Sequence, residues 1–174
     1  MKVSDVSISG LKLIELKIFN DNRGFFVERY NEKAFTDAGL PTRFVQDNHS
    51  RSSARVLRGL HYQTAPAAQS KLVSVLKGRI WDVAVDIRQD SPTYGKHYAL
   101  ELSDSNGLSL WIPAGFAHGF CVLGDEPADV LYKVDEFYSP NCDRGIRWDD
   151  PALNIPWPIH DPIVSEKDAR LPAL

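Results

Sequence analysis

The chain has 174 residues, and its 43% hydrophobic and 25% charged content excludes a disordered segment and suits one globular domain spanning residues 1–174. Twenty basic residues against 23 acidic ones leave a net charge of −3 with no basic tract or acidic tail, so neither a nucleic-acid backbone nor a membrane surface is expected as the main partner. An anionic small molecule stays compatible with this balance, because a few arginines in a pocket act locally against the net charge.

In chain order, strands are expected at Val3–Ile8, Leu11–Ile18 and Phe25–Tyr30. A short helix follows, from an Asn31 N-cap to a Gly39 stop. Further strands are expected at Phe44–Ser50, Leu57–Gln63, Leu72–Leu76, Arg79–Arg88, Tyr98–Ser103, Leu108–Ile112, Ala117–Leu123 and Val130–Tyr138. Several alternate with period two, and Lys77-Gly78, Asp104–Gly107 and Gly124-Asp125 suit tight reversals between them. Many short strands with one helix read as an all-β antiparallel sandwich or barrel. From residue 140 the texture changes: six of the 11 prolines fall there, which predicts an ordered but irregular arm wrapped on the barrel.

The N-terminus, MKVSDVSISG, lacks the apolar core of a signal peptide. No apolar run reaches the roughly 20 residues of a membrane span. Cys121 and Cys142 lack CxxC spacing and read as one buried and one loop thiol. A soluble cytoplasmic protein is expected.

The stretch GLSLWIPAGFAH, Gly107–His118, has the spacing G-x5-P-x-G-x2-H and resembles the second motif of the cupin superfamily, a jelly-roll barrel. The first cupin motif requires His-x-His, but here His61 is followed two residues on by Gln63. A metal would have His61, His118 and at most His49, without the paired second histidine of that motif, so the three ligands in fixed geometry that such a site needs are not assured and no metal is expected. The inward polar residues then need another purpose. Alternation puts Gln46 and Asn48 on one strand face, Lys71 on the face of Val73 and Val75, and Tyr132 on a face with Val130, Glu136 and Tyr138. A barrel interior holding His61, Lys71 and Tyr132 combines a base, a cation and a phenolic acid, which suits proton abstraction beside a carbonyl. Periodicity alone does not establish that they converge.

Ten collinear segments carry a more specific signal: DNRGFFVERY, FVQDNHS, RGLHYQ, KLVSVLKG, DVAVDIR, SPTYGKH, IPAGFAHGF, YKVDEFYSP, GIRWDDP and SEKD. Through them the chain resembles the dTDP-4-dehydrorhamnose 3,5-epimerase family of cupins over nearly its whole length. The resemblance implies a cupin-type jelly roll that inverts C3 and C5 of a dTDP-4-keto-6-deoxy-hexose with no metal and no nicotinamide, in the route to dTDP-rhamnose and bacterial surface polysaccharide. It implies His61 as general base, Asp168 as its carboxylate partner, Lys71 beside the 4-keto oxygen and Tyr132 as the acid on the opposite face. It further implies Arg23, Glu28, Gln46, Asn48, Arg58, His118, Tyr138, Asp143 and Lys167 around the nucleotide and sugar. Arg23 and Arg58 suit the diphosphate, since a guanidinium donates two parallel hydrogen bonds. Asp143 stands where relatives commonly carry Glu. In the family the RGFF strand reaches the neighbouring subunit's site, so a homodimer is implied.

Blander readings stand beside these. His61 alone could be a satisfied core histidine, Ser165–Asp168 also fits a helix-capping pattern, and Tyr132 could merely fill the barrel. His118 could be a vestige of the metal motif, bonding substrate or backbone instead. The rival functions are a paralogue that inverts one carbon or moves the keto group, a metal-dependent cupin dioxygenase, and a non-catalytic sugar-nucleotide binder.

Overall fold

The computed structural model describes residues 1–174. Its strands are β1 (Lys2–Asp5), β2 (Lys12–Glu15), β3 (Ile18–Asp21), β4 (Gly24–Val27), β5 (Gln46–Ser52), β6 (Leu57–Gln63), β7 (Lys71–Lys77), β8 (Arg79–Asp86), β9 (His97–Ser103), β10 (Leu108–Ile112), β11 (Phe116–Val122), β12 (Ala128–Val134) and β13 (Asp143–Gly145), with helices α1 (Glu32–Asp37) and α2 (Glu166–Ala169). A six-stranded sheet, β1-β2-β10-β7-β12-β5, faces a five-stranded sheet, β13-β6-β11-β8-β9, and β3-β4 stands apart as a hairpin. The strand pairings within these sheets are antiparallel, the jelly-roll architecture of the cupins.

Period-two alternation divides each strand between layers. Val73 and Val75 of β7, Leu110 and Ile112 of β10, Ile80 and Ala84 of β8, and Phe116, Phe120 and Val122 of β11 meet between the sheets. The opposite faces are covered too. Leu72 and Trp111 pack with Phe35 of α1, and Val83, Val85 and Ala117 pack with Ile146 and Leu153 of the C-terminal arm. Burying side chains of this size contributes about 1.5–3 kcal/mol each, so both sheets are stabilised from two sides.

The arm is irregular but fastened. Arg147 N–H donates to the Pro172 carbonyl (2.8 Å), Leu57 N–H to Ile163 (3.0 Å) and Leu174 N–H to the Asp150 carboxylate (2.8 Å). At the start of α1, the Asn31 side chain accepts from Ala34 N–H. At the turn before β11, Gly115 has φ of +91° and a Cβ there would lie 2.7 Å from Arg88 Cγ. That turn admits only glycine without strain, and it delivers His118 to the inner face of β11.

Several boundaries differ from expectation. Leu11–Ile18 is interrupted at Leu16, whose N–H leaves β2 to bond the Gly107 carbonyl at 2.8 Å. The last long strand ends at Val134, not Tyr138. Asp135 turns its carboxylate to Ser70 N–H (2.7 Å) and Glu136 to Phe137 N–H (2.8 Å), and local side-chain acceptors of this kind break a ladder. Glu136 and Tyr138 therefore do not continue the Tyr132 face. Cys142 lies in the turn before β13, the loop position expected for it, and like Cys121 it is a free, buried thiol. No helix is long and apolar enough to cross a membrane.

Candidate functional site

One end of the space between the sheets is open. A hollow of about 500 Å³ is lined by Arg58, His61, Lys71, His118, Tyr132 and Asp168, with Val56, Phe120 and Ile163 among its apolar walls. A second hollow of about 400 Å³ adjoins it, lined by Gln46, Asn48, Tyr138 and Asp143. His61, Lys71, Tyr132 and Lys167 border both, so the two form one cleft with these four side chains at its waist.

His61 reaches the cleft through an irregularity of β6. His118 pairs with His61, but Phe120 pairs with Arg58, so two residues of β6, Gly59 and Leu60, oppose the single Gly119 of β11. A regular strand would turn Arg58 and His61 to opposite faces; the bulge at Gly59–Leu60 turns both into the hollow. Close approach of the backbones makes this possible. Gly59 has φ of +123°, and a Cβ on it would meet Gly119 Cα at 2.6 Å and the His118 carbonyl at 2.9 Å.

The bulge also frees Gly59 N–H, which donates to Asp168 Oδ2 (3.1 Å) from a residue 109 positions away. The other oxygen, Oδ1, lies 3.0 Å from His61 Nε2. Ser165 caps α2 by accepting from Asp168 N–H (3.1 Å). Burial pushes the Asp168 carboxyl up, but the hydrogen bonds from His61 and Gly59 outweigh it and hold the group below its ordinary value. A carboxylate held in its charged form thus faces the Nε2 edge of the His61 imidazole.

Lys71 is 8% exposed and donates from Nζ to the His61 carbonyl (3.0 Å). Burial pulls its ammonium down to about 8, opposed by the charges of Asp82 and Asp143. Tyr132, on β12, is raised above the ordinary phenol value by burial, with Arg58 pulling the other way. His118 is buried, with Nε2 2.7 Å from Asp82 Oδ1. No group of three or more His, Cys, Asp or Glu side chains is gathered as metal ligands.

The outer hollow is a polar rim. Gln46 Nε2 donates to Asn48 Oδ1 (2.8 Å), Tyr138 Oη to Asp143 Oδ2 (3.2 Å) and Lys167 Nζ to the same oxygen (2.5 Å). The Asp143 carboxylate raises the Lys167 ammonium above its ordinary value. In the inner hollow, Arg58 donates from Nε to Ser52 Oγ (2.8 Å).

Two expected residues stand elsewhere. Arg23 projects from the β3-β4 hairpin, 85% exposed and paired with Asp21 at 2.6 Å, and Glu28 lies just past β4; neither lines the cleft of its own chain. Sequence reasoning also missed residues. Asp82 alternates with Ile80 and Ala84 and carries a signal that could have been read, a charge at a core position. Ile163 reaches the cleft only because the arm folds back, which no local pattern announces.

The sequence profile described as dTDP-4-dehydrorhamnose 3,5-epimerase matches residues 5–174. A dTDP-4-dehydrorhamnose 3,5-epimerase of Shigella flexneri is 53% identical over 169 residues, 97% of this chain and 93% of its own. The crystal structure of the enzyme of that name from Bacillus anthracis, with TDP and PPi bound, superposes with a TM-score of 0.96 at 48% identity, covering 99% of each chain. A dTDP-6-deoxy-D-glucose-3,5-epimerase from Legionella pneumophila, in complex with dTDP-4-keto-L-rhamnose, superposes at 0.94 with 47% identity over 99% of this chain and 92% of its own. Agreement of profile, sequence and backbone along almost the entire length establishes that this chain belongs to the dTDP-4-dehydrorhamnose 3,5-epimerase family.

Proposed function

We propose that the chain inverts C3 and C5 of dTDP-4-keto-6-deoxy-D-glucose to give dTDP-4-keto-L-rhamnose, with His61 as base and Tyr132 as acid. The observation that carries the assignment of roles is the His61–Asp168 pair, 3.0 Å apart, set at the waist of a cleft shared with Lys71 and Tyr132.

The 4-keto group acidifies the hydrogens on both flanking carbons. His61 Nδ1 takes the C3 or C5 proton, and the C–H electron pair moves through the ring into the C4–O4 bond to form an enolate. The imidazolium produced is held against the Asp168 carboxylate, which stabilises the charge as it develops. Lys71, protonated in the neutral range, stands against the enolate oxygen. Tyr132 gives its phenolic proton to the opposite face as the enolate collapses. His61 and Tyr132 return to their starting states by exchange with solvent, and the cycle repeats at the second carbon. Each cycle exchanges hydrogens and leaves carbon oxidation states unchanged, so the chemistry calls for neither hydride carrier nor oxidant.

The two hollows together take the nucleotide sugar in this reading. Arg58 faces the diphosphate, with Gln46, Asn48, His118, Tyr138, Asp143 and Lys167 around the sugar and nucleoside. Arg23 and Glu28 serve the cleft of a second subunit. The exposure of Phe19, Phe25 and Phe26 on the same hairpin, at 49%, 57% and 66%, supports a homodimer in which it is covered. The chain acts as one domain, and its substrate class places it in the cytoplasm.

The test is proton NMR of the keto sugar with the protein in deuterium oxide, the product being trapped by a reductase. Loss of both the C3 and C5 signals with formation of the L-rhamno product is expected. Exchange at one carbon only would make the chain a mono-epimerase, and exchange at neither would overturn the reading. Light scattering at twice the chain mass is expected; a monomer would remove the shared-site role of Arg23.

A further inference from the structure

Asp82 is 0% exposed on the inner face of β8, where its neighbours Ile80 and Ala84 are core residues. An ionised group in such a place is costly unless a partner compensates it. Its Oδ1 meets His118 Nε2 at 2.7 Å, while Oδ2 is buried without any hydrogen-bond partner in the chain. Structural carboxylates of this fold are treated differently. Buried Asp86 has both oxygens satisfied, by Arg88, Ser91 and Thr93, and Asp129 spends both on Arg51. Asp82 lies behind the cleft wall, since His118 borders the hollow and Asp82 does not.

We infer that Asp82 is a positioning residue of the epimerisation site: it holds the His118 imidazole by its Nε2 edge and supplies the fixed counter-charge that keeps Lys71 cationic behind the enolate oxygen. The inference rests on the proposed epimerase reading and extends it.

A carboxylate at Nε2 fixes the hydrogen of neutral His118 there and leaves Nδ1, which bonds nothing in the chain, as the free edge of the ring. The site then contains two carboxylate–imidazole pairs on neighbouring strands, His61–Asp168 and His118–Asp82, with His61 and His118 paired across β6 and β11. They differ in setting. The His61 side chain is 30% exposed and can trade protons with solvent, whereas His118 is 7% exposed, which suits a fixed hydrogen-bonding group better than a shuttling base.

The groups around Lys71 are Asp82 of β8, Asp143 of β13, His61 and Arg58 of β6, His118 of β11, Tyr132 of β12, and Lys167 and Asp168 of α2. Asp168 is engaged by His61, and Asp143 by Lys167 and Tyr138. Of the two carboxylates that favour the charged form of Lys71, Asp82 acts more strongly and is the one without a second cation bonded to it.

The experiment is Asp82→Asn, which keeps the shape and removes the charge. The alkaline limb of the kcat profile should move to lower pH by about one unit, because an opposite charge close by raises a lysine by that order and its loss lowers it. KM should change much less than kcat. A lower rate with an unmoved limb assigns Asp82 a merely structural role and overturns the inference. Nitrogen-15 NMR of histidine-labelled wild-type protein decides the matter even if the variant does not fold: neutral His118 is expected as the Nε2–H tautomer, and an Nδ1–H tautomer or a mixture overturns the proposal. That readout needs no turnover, so failure of the epimerase assignment and failure of this inference are separable.

Discussion

Replacing Asp168 by Asn alters the charge of the dyad while keeping its volume. The Asn oxygen must face Gly59 N–H, which the carboxylate accepts at 3.1 Å, because turning the amide round would set donor against donor. Its NH₂ group then points at His61 Nε2, where the wild-type carboxylate oxygen stands at 3.0 Å. The imidazole can accept from that group only by carrying its hydrogen on Nδ1, the nitrogen that has to take the substrate proton. The variant also loses the anion that stabilises the imidazolium. Two unit charges about 4 Å apart at an effective dielectric of about 20 attract by about 4 kcal/mol, close to a thousandfold in rate. With the wrong tautomer added, kcat should fall by roughly 10³–10⁴. Stability should fall by only about 1 kcal/mol, since Ser165 caps the Asp168 backbone rather than its side chain. Initial rates of C3 and C5 deuterium uptake followed by NMR, beside urea unfolding of the same samples, separate the two effects. A variant that folds and keeps more than a tenth of the wild-type rate would refute the dyad.

The other expectations concern neighbouring parts of the site. Wild-type kcat should decline as pH rises through about 8, where buried Lys71 gives up its proton; a profile flat to about pH 9.5 would remove Lys71 from the enolate side. The same depression makes this group's contribution to stability rise with pH from about 8 to 10.5, because the unfolded chain binds the extra proton over that window; urea midpoints across it check the sign. Tyr132→Phe should lower product formation by about 10²–10⁴ while proton removal suffers less. If it abolished deuterium exchange as fully as His61→Ala, the acid role would be wrong. Gly59→Ala drives a Cβ into Gly119 at 2.6 Å and should destabilise the fold by about 3 kcal/mol or more; a midpoint matching wild type would mean that β6 and β11 can separate.

Much of the barrel was legible locally because a strand writes its two faces into alternate residues. β6 and β10 were bounded correctly from alternation and turn residues alone, and the Asn31 cap was read from a side chain suited to accept from its own helix. Boundaries slipped where a distant group decided them: β12 stops at Val134 because Asp135 bonds Ser70, on a segment 65 residues away. The short β13 pairs with β6 only after the arm has come back, and no periodicity shows in three residues.

Local patterns along the chain carry the architecture and the chemical inventory: alternating apolar faces, the Pro113–Gly115 turn before His118, and the quoted segments that contain His61, Lys71, Tyr132 and Asp168. Which of these groups meet depends on how the segments pack. Packing placed α2 against β6 so that Asp168 meets His61, and put Arg58 and His61 on one face through a bulge that strict alternation forbids. It held Arg23 away from its own cleft and set Asp82 behind His118. The reason is one of range. Alternation and turn preference act over a few residues, whereas hydrogen bonds and charge pairs act over a few ångströms between segments that only the packed core brings together.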